Sequence, residues 1–181
     1  MSAVIEMNFT MKKAHIKSPL AYDIFDSPLG KLYLTFSGDS LSGISFTKPS
    51  DISFRKGSAP VNFIKELDLY FKGLNSQFAQ KIKFLSGTEF EMKVWYALNE
   101  IPYGETKTYK WIAEKIGKPA AVRAVGQALS KNPIPIVVPC HRVIESDGSI
   151  GGYSSGVNVK KRLLEMEYYS GKTMNNDEKL P

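Results

Sequence analysis

The stretch SGTEFEMKVWYALNEIPYGETKTYKWIAEKIGKPAAVRAVGQALS, residues 86–130, decides the fold. From Ser86 onward the apolar positions follow a 3.6-residue period and strand signals fade, so a domain boundary falls near residue 86. Thr88 and Glu91 form a capping box that opens a helix, with Phe90, Val94, Leu98 and Ile101 as its apolar stripe. Ile101, Pro102, Tyr103 and Gly104 end it. Tyr109, Ile112 and Ile116 mark a short second helix, and Gly117, Lys118 and Pro119 turn the chain into a third whose Val122, Val125 and Leu129 point inward. Two short helices about a glycine turn suggest a helix-turn-helix. The third helix presents Arg123, Gln127 and Ser130 on its opposite face, beside the small Ala120 and Ala124. Residues 101–131 hold six Lys or Arg against two Glu, which suits either a solvated face or a surface that docks a polyanion.

Upstream the period changes to two. Tyr22, Ile24 and Phe25 precede a turn at Ser27–Gly30, Leu32, Leu34 and Phe36 alternate with polar neighbours, and a turn at Gly38–Ser40 leads into a strand over 41–46. This reads as an antiparallel meander. Residues 48–60 read as a loop, 61–74 as a helix carrying Phe63, Leu67, Tyr70, Phe71 and Leu74 with Gly73 at its end, and 78–84 as a further short strand. The expected division is an N-terminal domain over 1–85 with an extension at 1–18, a C-terminal domain over 86–169, and a polar tail over 170–181 expected to be disordered. The fold class is α+β.

The 181 residues carry 43% hydrophobic and 23% charged side chains, enough for one ordinary core or two small ones, and the formal net charge of +6 favours polyanionic partners. The first 18 residues lack the layout of a secretory signal, and the longest apolar run, residues 134–139, is far too short to span a bilayer. A soluble intracellular protein is expected. With Cys140 as the single cysteine and His15 and His141 as the only histidines, an intrachain disulfide is impossible and a Cys/His metal centre is not expected.

The chemistry concentrates in NPIPIVVPCHRVIESDGSIGGYSSG, residues 132–156, where the only thiol adjoins an imidazole. A lone cysteine is commonly an inert buried hydrophobe. Here Cys140 follows Pro139 and precedes His141 and Arg142, electropositive surroundings that favour the thiolate, and a nearby imidazolium is expected to lower the thiol pKa. Neighbouring residues on an extended chain point apart, so either the chain turns at Cys140 or a water bridges thiol and ring. A last helix, over about 157–169, puts Val159, Leu163 and Glu167 on one line. Glu167 then either orients His141 or is solvated at a helix end.

The segment PCHRV at 139–143 resembles the active-site signature of the O6-alkylguanine-DNA alkyltransferases, the methylated-DNA cysteine methyltransferases. GTEFEMKVWYALNEIPYGETKTY at 87–109, AAVRAVGQALSKNP at 120–133, GSIGGYSSG at 148–156 and KKRLLEME at 160–167 are similar to the family in order and spacing. SPLGKLYL and the LDLYFKG helix resemble it more loosely. The resemblance implies a ribonuclease-H-like first domain, an antiparallel sheet with a helix, and a mainly helical, winged-helix-like second domain.

The resemblance also assigns roles. Cys140 is the alkyl acceptor, His141 a base acting through water, Glu167 its orienting group, and Asn132 a support for the same network. Tyr109 assists protonation of the leaving guanine, Ser154 donates near its O6, the carbonyls of Cys140 and Val143 accept from the base, and Tyr153 packs against it. Arg123 is the finger that fills the stack vacated by the flipped nucleotide, on a helix whose Ala124, Gln127 and Ser130 face DNA. The implied partner is double-stranded DNA carrying O6-alkylguanine, met in the minor groove without sequence readout, and the protein acts as a monomer without a cofactor, in the cytoplasm or a eukaryotic nucleus. A stable thioether with no second cysteine to resolve it implies one turnover. Some members bind zinc through amino-terminal Cys and His residues, but that half of this chain has no Cys and only His15, so no such site is expected. Two other readings are a Cys/His hydrolase and a helix-turn-helix protein that binds lesions without catalysis.

Overall fold

The alternation of Leu32, Leu34 and Phe36 with polar neighbours creates a sheet with one apolar face. In the computed structural model, which describes residues 20–50 and 54–177 (171–177 by backbone alone), this becomes β1 (Leu20–Ser27), β2 (Gly30–Ser37) and β3 (Ser40–Ser45), an antiparallel meander. The extension at 1–18, His15 included, lies outside the described residues, as do 178–181. A two-residue strand, β4 (Arg55–Lys56), pairs in parallel with β1 and completes the order β3-β2-β1-β4. It falls within the expected loop, whose Arg55 and Lys56 carry no apolar signal. The helix α1 (Val61–Phe71) lays Phe63, Leu67 and Tyr70 on the sheet's apolar face, and Gly73 leaves it at φ 72° where a Cβ would collide with Ser170.

The strand expected over 78–84 is reduced to a single parallel bridge, Leu41 to Ile82. Phe78 and Ile82 are pulled into the core and the chain between them follows that anchoring rather than a ladder.

The capping box at Thr88 and Glu91 is present, and it starts α2 (Glu89–Leu98). Val94, Leu98 and Ile101 are buried as the stripe requires. Two further helices pack on α2. They are α3 (Tyr109–Lys115), capped by Thr108, and α4 (Val122–Ser130), with Gly117 at φ 70° in the turn between them. The indole of Trp95 donates to the Ala128 carbonyl at 2.8 Å and ties α2 to α4. One inward residue is corrected: Val122, in the first turn of α4, is 37% exposed, and the helix buries Val125, Ala128 and Leu129 instead.

A short parallel pair, β5 (Lys107–Thr108) with β6 (Val143–Ile144), joins the start of α3 to the Cys140 segment. The last helix, α5 (Val157–Asp177), runs well past the expected end near Tyr169. Gly171 costs a helix only about 1 kcal/mol, and no proline follows before Pro181, so local sequence does not stop it. The two halves meet along β3, where the Ile44 amide donates to the Pro133 carbonyl at 2.9 Å, and through α1 against α5. The molecule is thus α+β, with the Cys140 segment between its halves. No helix among the described residues is long and apolar enough to cross a membrane.

Candidate active site

Residues 132–139 contain three prolines that restrict the path to Cys140, and Ile136 adopts φ 76°, a region β-branched side chains rarely enter. The chain then turns. A single 3-10 turn spans Cys140–Arg142, with the Cys140 amide donating to Val138 at 2.8 Å and the Arg142 amide to Pro139 at 3.0 Å. The change of direction expected after Pro139 is present.

Cys140 is 3% exposed, yet its side chain reaches the wall of a cleft of about 290 Å³. Tyr109, Gly126, Leu129, Ser130, Gly152, Tyr153 and Ser154 line the rest. One wall is therefore α4, where Gly126 faces the Tyr109 ring. The amide nitrogen of Asn132 donates to the Cys140 sulfur at 3.1 Å, and the buried Tyr153 hydroxyl lies close enough for thiol and phenol to influence each other's ionisation.

Burial pushes the Cys140 thiol up, and the opposing effects of Asn132, Tyr153 and Lys160 do not cancel it. His141 is fully buried, and burial holds its pKa below the ordinary imidazole value despite Glu167. The expected imidazolium beside a preformed thiolate is thus corrected. At rest the pair is a protonated thiol and a neutral ring, because desolvation outweighs the local positive charge.

Glu167 is 1% exposed and settles the choice left open by its spacing. Its Oε1 accepts from His141 Nε2 at 2.8 Å, the Tyr70 hydroxyl at 2.7 Å and the Arg142 guanidinium at 3.0 Å. Its Oε2 accepts from Arg142 Nε at 2.8 Å and the Gly104 amide at 3.3 Å. Burial alone would raise the Glu167 pKa, but His141 and Arg142 prevail and hold it well below the carboxylate range. An ionised Glu167 accepts a hydrogen bond from Nε2–H, which leaves Nδ1, buried and without a hydrogen-bond partner among the described residues, as the basic nitrogen.

Three further polar residues complete the site: Arg142, read from the sequence only as a source of positive charge, and Tyr70 and Lys160, which sequence reasoning missed. Arg142 also donates to the Ile101 carbonyl at 2.8 Å and lies 5.6 Å from the Tyr103 ring centroid. Tyr70 arrives from α1. Lys160 is fully buried and donates to the Val143 carbonyl at 2.6 Å and the Gly152 carbonyl at 3.3 Å, joining the two segments that frame the cleft. It forms no ion pair among the described residues. The signal for Lys160 was available: it stands three residues before Leu163 and seven before Glu167, on the same helix face. Of the carbonyls expected to receive a ligand, that of Val143 already accepts from Lys160 and that of Cys140 from the Val143 amide, so each keeps one lone pair.

The structure brings together Cys140, His141, Asn132 and Glu167, and it puts Tyr109, Tyr153 and Ser154 around the thiol's cleft. Ser130 borders that cleft, whereas Arg123 and Gln127 lie exposed on the adjoining face of α4 with Ala124 half-buried between them. Among the described residues no three His, Cys, Asp or Glu side chains converge to hold a metal ion.

Known proteins resemble this chain over most of its length. Residues 20–84 match the family described as "6-O-methylguanine DNA methyltransferase, ribonuclease-like domain", and residues 89–169 match its "DNA binding domain". A methylated-DNA–protein-cysteine methyltransferase of Methanosarcina barkeri is 44% identical, over 81% of this chain and 96% of its own. The crystal structure of Mycobacterium tuberculosis OGT in complex with DNA superposes with a TM-score of 0.79 at 41% identity, covering 83% of this chain and 94% of that one. The O6-methylguanine-DNA methyltransferase of the archaeon Pyrococcus kodakaraensis superposes at 0.61 with 28% identity, over 82% and 98% of the two chains.

Proposed function

The chain belongs to the 6-O-methylguanine-DNA methyltransferase family, and from that premise we propose that Cys140 is its alkyl acceptor and α4 its DNA-reading helix. The protein repairs DNA by direct reversal, moving the alkyl group of O6-alkylguanine to its own cysteine. The observation that carries the assignment of the acceptor is the chain's single thiol, facing a cleft beside a buried imidazole and carboxylate.

The resting thiol is protonated, so transfer and deprotonation belong to one event. Nδ1 of His141 takes the Cys140 proton through a water, while Glu167 holds Nε2–H and Arg142 balances the carboxylate. Sulfur bonds to the alkyl carbon, the carbon–O6 bond breaks, and its electron pair stays on the purine, which takes up one proton. Protons balance once the one His141 takes from the thiol returns through water to Tyr109, which has given its own to guanine, so the net transfer is from thiol to purine. Tyr109 delivers a proton to the leaving base and Ser154 donates to O6, absorbing charge as it develops. Tyr153 packs against the base, and the remaining lone pairs of the Cys140 and Val143 carbonyls accept from it. Asn132 and Lys160 stabilise the sulfur as it becomes anionic. Mildly basic net charge draws the protein to duplex DNA irrespective of sequence. The helix-turn-helix formed by α3 and α4 enters the minor groove, Arg123 occupies the gap left by the everted nucleotide, and Ala124, Gln127 and Ser130 lie along the backbone.

The chain divides near residue 86 into an N-terminal domain and a C-terminal DNA-binding domain, and it works as a monomer in the cytoplasm, or in the nucleus of a eukaryote. A fluorescent duplex whose restriction site is blocked by O6-methylguanine tests the function. Cleavable product should rise to one mole per mole of protein and stop. Continued production beyond that ratio, or none at all, contradicts the reading.

A further inference from the structure

The hydroxyl of Tyr70, on α1 in the amino-terminal half, donates to Glu167 Oε1 at 2.7 Å across 97 residues of sequence. The same oxygen accepts from His141 Nε2 at 2.8 Å and Arg142 at 3.0 Å. A carboxylate oxygen offers about two lone pairs, so three donors on Oε1 share what two could fill. We infer that Tyr70 is a positioning residue of the transfer site, and that by competing with the imidazole for Oε1 it sets the basicity of His141.

The phenol is built to hold this bond. Tyr70 is fully buried, its ring wedged against Phe71, Phe78 and Tyr103 at centroid distances of 5.3, 5.4 and 6.0 Å. Burial and Glu167 keep its hydroxyl protonated and therefore a donor. The charged or titratable groups facing the His141–Glu167 pair are Tyr70 from α1, Tyr103 from the turn after α2, Arg142 from the catalytic turn, Tyr153 from the segment before α5, and Lys160 from α5. Arg142 and Lys160 are fixed by bonds to backbone carbonyls, and Tyr103 makes no hydrogen bond to Glu167. Of the neutral groups, Tyr70 alone shares the oxygen that His141 uses. Removing its hydroxyl returns acceptor capacity to Nε2–H, strengthens that bond, and favours the imidazolium. The base of the site is thus tuned from the other half of the molecule, whose docking becomes part of the chemistry.

This inference rests on His141 acting as the base, and its test separates the two. In the full-length Tyr70→Phe protein, the imidazole titration is followed by NMR, with His15→Ala assigning the signals, and the pH dependence of Cys140 alkylation by iodoacetamide is measured beside it. The His141 midpoint should rise by about half a pH unit or more and the iodoacetamide profile should move down by a similar amount. Tyr103→Phe, which removes a buried phenol at the same junction, should shift neither. Site-specific 3,5-difluorotyrosine at position 70, a stronger donor with the same shape, should move the midpoint the opposite way and reports even if Tyr70→Phe folds poorly. An unchanged His141 midpoint in a folded Tyr70→Phe or difluorotyrosine protein overturns the inference. Failure of the parent protein to take a methyl group from DNA would instead overturn the function on which it rests.

Discussion

The amide nitrogen of Asn132 donates both to the Cys140 sulfur at 3.1 Å and to the Val138 carbonyl at 2.8 Å, while its Oδ1 accepts from the Ile134 amide at 3.1 Å. One buried side chain therefore shapes the loop that delivers the thiol and also touches the reacting atom. Asn132→Ala leaves the buried Ile134 amide without its partner, at about 1–3 kcal/mol, while the Val138 carbonyl keeps the Cys140 amide. Urea unfolding should show that loss, and iodoacetamide should find a thiol that ionises at higher pH. Parent-like values in both would refute the double role.

Lys160 places a buried ammonium near a sulfur that must carry negative charge during transfer, with no carboxylate paired to it among the described residues. Lys160→Met should move the iodoacetamide profile of Cys140 upward and slow single-turnover methyl transfer by roughly tenfold or more, one pKa unit being worth a factor of ten. An unmoved profile with retained fold would reduce Lys160 to a strut between Val143 and Gly152.

Glu167 carries the clearest pH signature. Its folded pKa is depressed below the unfolded value of about 4.3, so its contribution to stability is present above that pH and is lost as pH falls through the window below it. His141, also depressed, adds a loss that begins as pH falls below about 6.5, where the unfolded chain binds the proton more readily. Glu167→Gln should cost about 3–5 kcal/mol at neutral pH, because Arg142 is left buried and unpaired, and should flatten the decline below pH 4. Urea unfolding across pH 3–8 checks both slopes.

Arg123 is exposed on α4, so Arg123→Ala should leave thermal unfolding nearly unchanged. Its loss should fall on duplex substrate, where an everted base costs a few kcal/mol, slowing transfer by about tenfold or more. Single-stranded DNA needs no eversion and should react almost as before. Equal slowing on both substrates would contradict the finger role.

The C-terminal helices were legible because each is written locally, in the Thr88–Glu91 box, the Val94–Leu98–Ile101 stripe and the Gly117 turn. Cys140 and His141 stood out because the chain has one thiol and two imidazoles. The Tyr70–Glu167 bond was not legible, since no periodicity relates residues that far apart. Arg142 was read as a source of positive potential, whereas tertiary structure neutralises it on Glu167. The ionisation state was missed for a related reason: spacing reports which charges are near, but not how much water folding removes from them. The reading of 78–84 failed where anchoring side chains overrode strand pattern.

Alkyl transfer ends on one atom, the sulfur of Cys140. Peptide mass mapping after incubation with duplex DNA containing O6-methylguanine should find a single added methyl on the Cys140 peptide, in stoichiometric yield, with Cys140→Ala still binding the duplex but unmodified. Repaired DNA accompanied by an unmodified Cys140 peptide would contradict that endpoint.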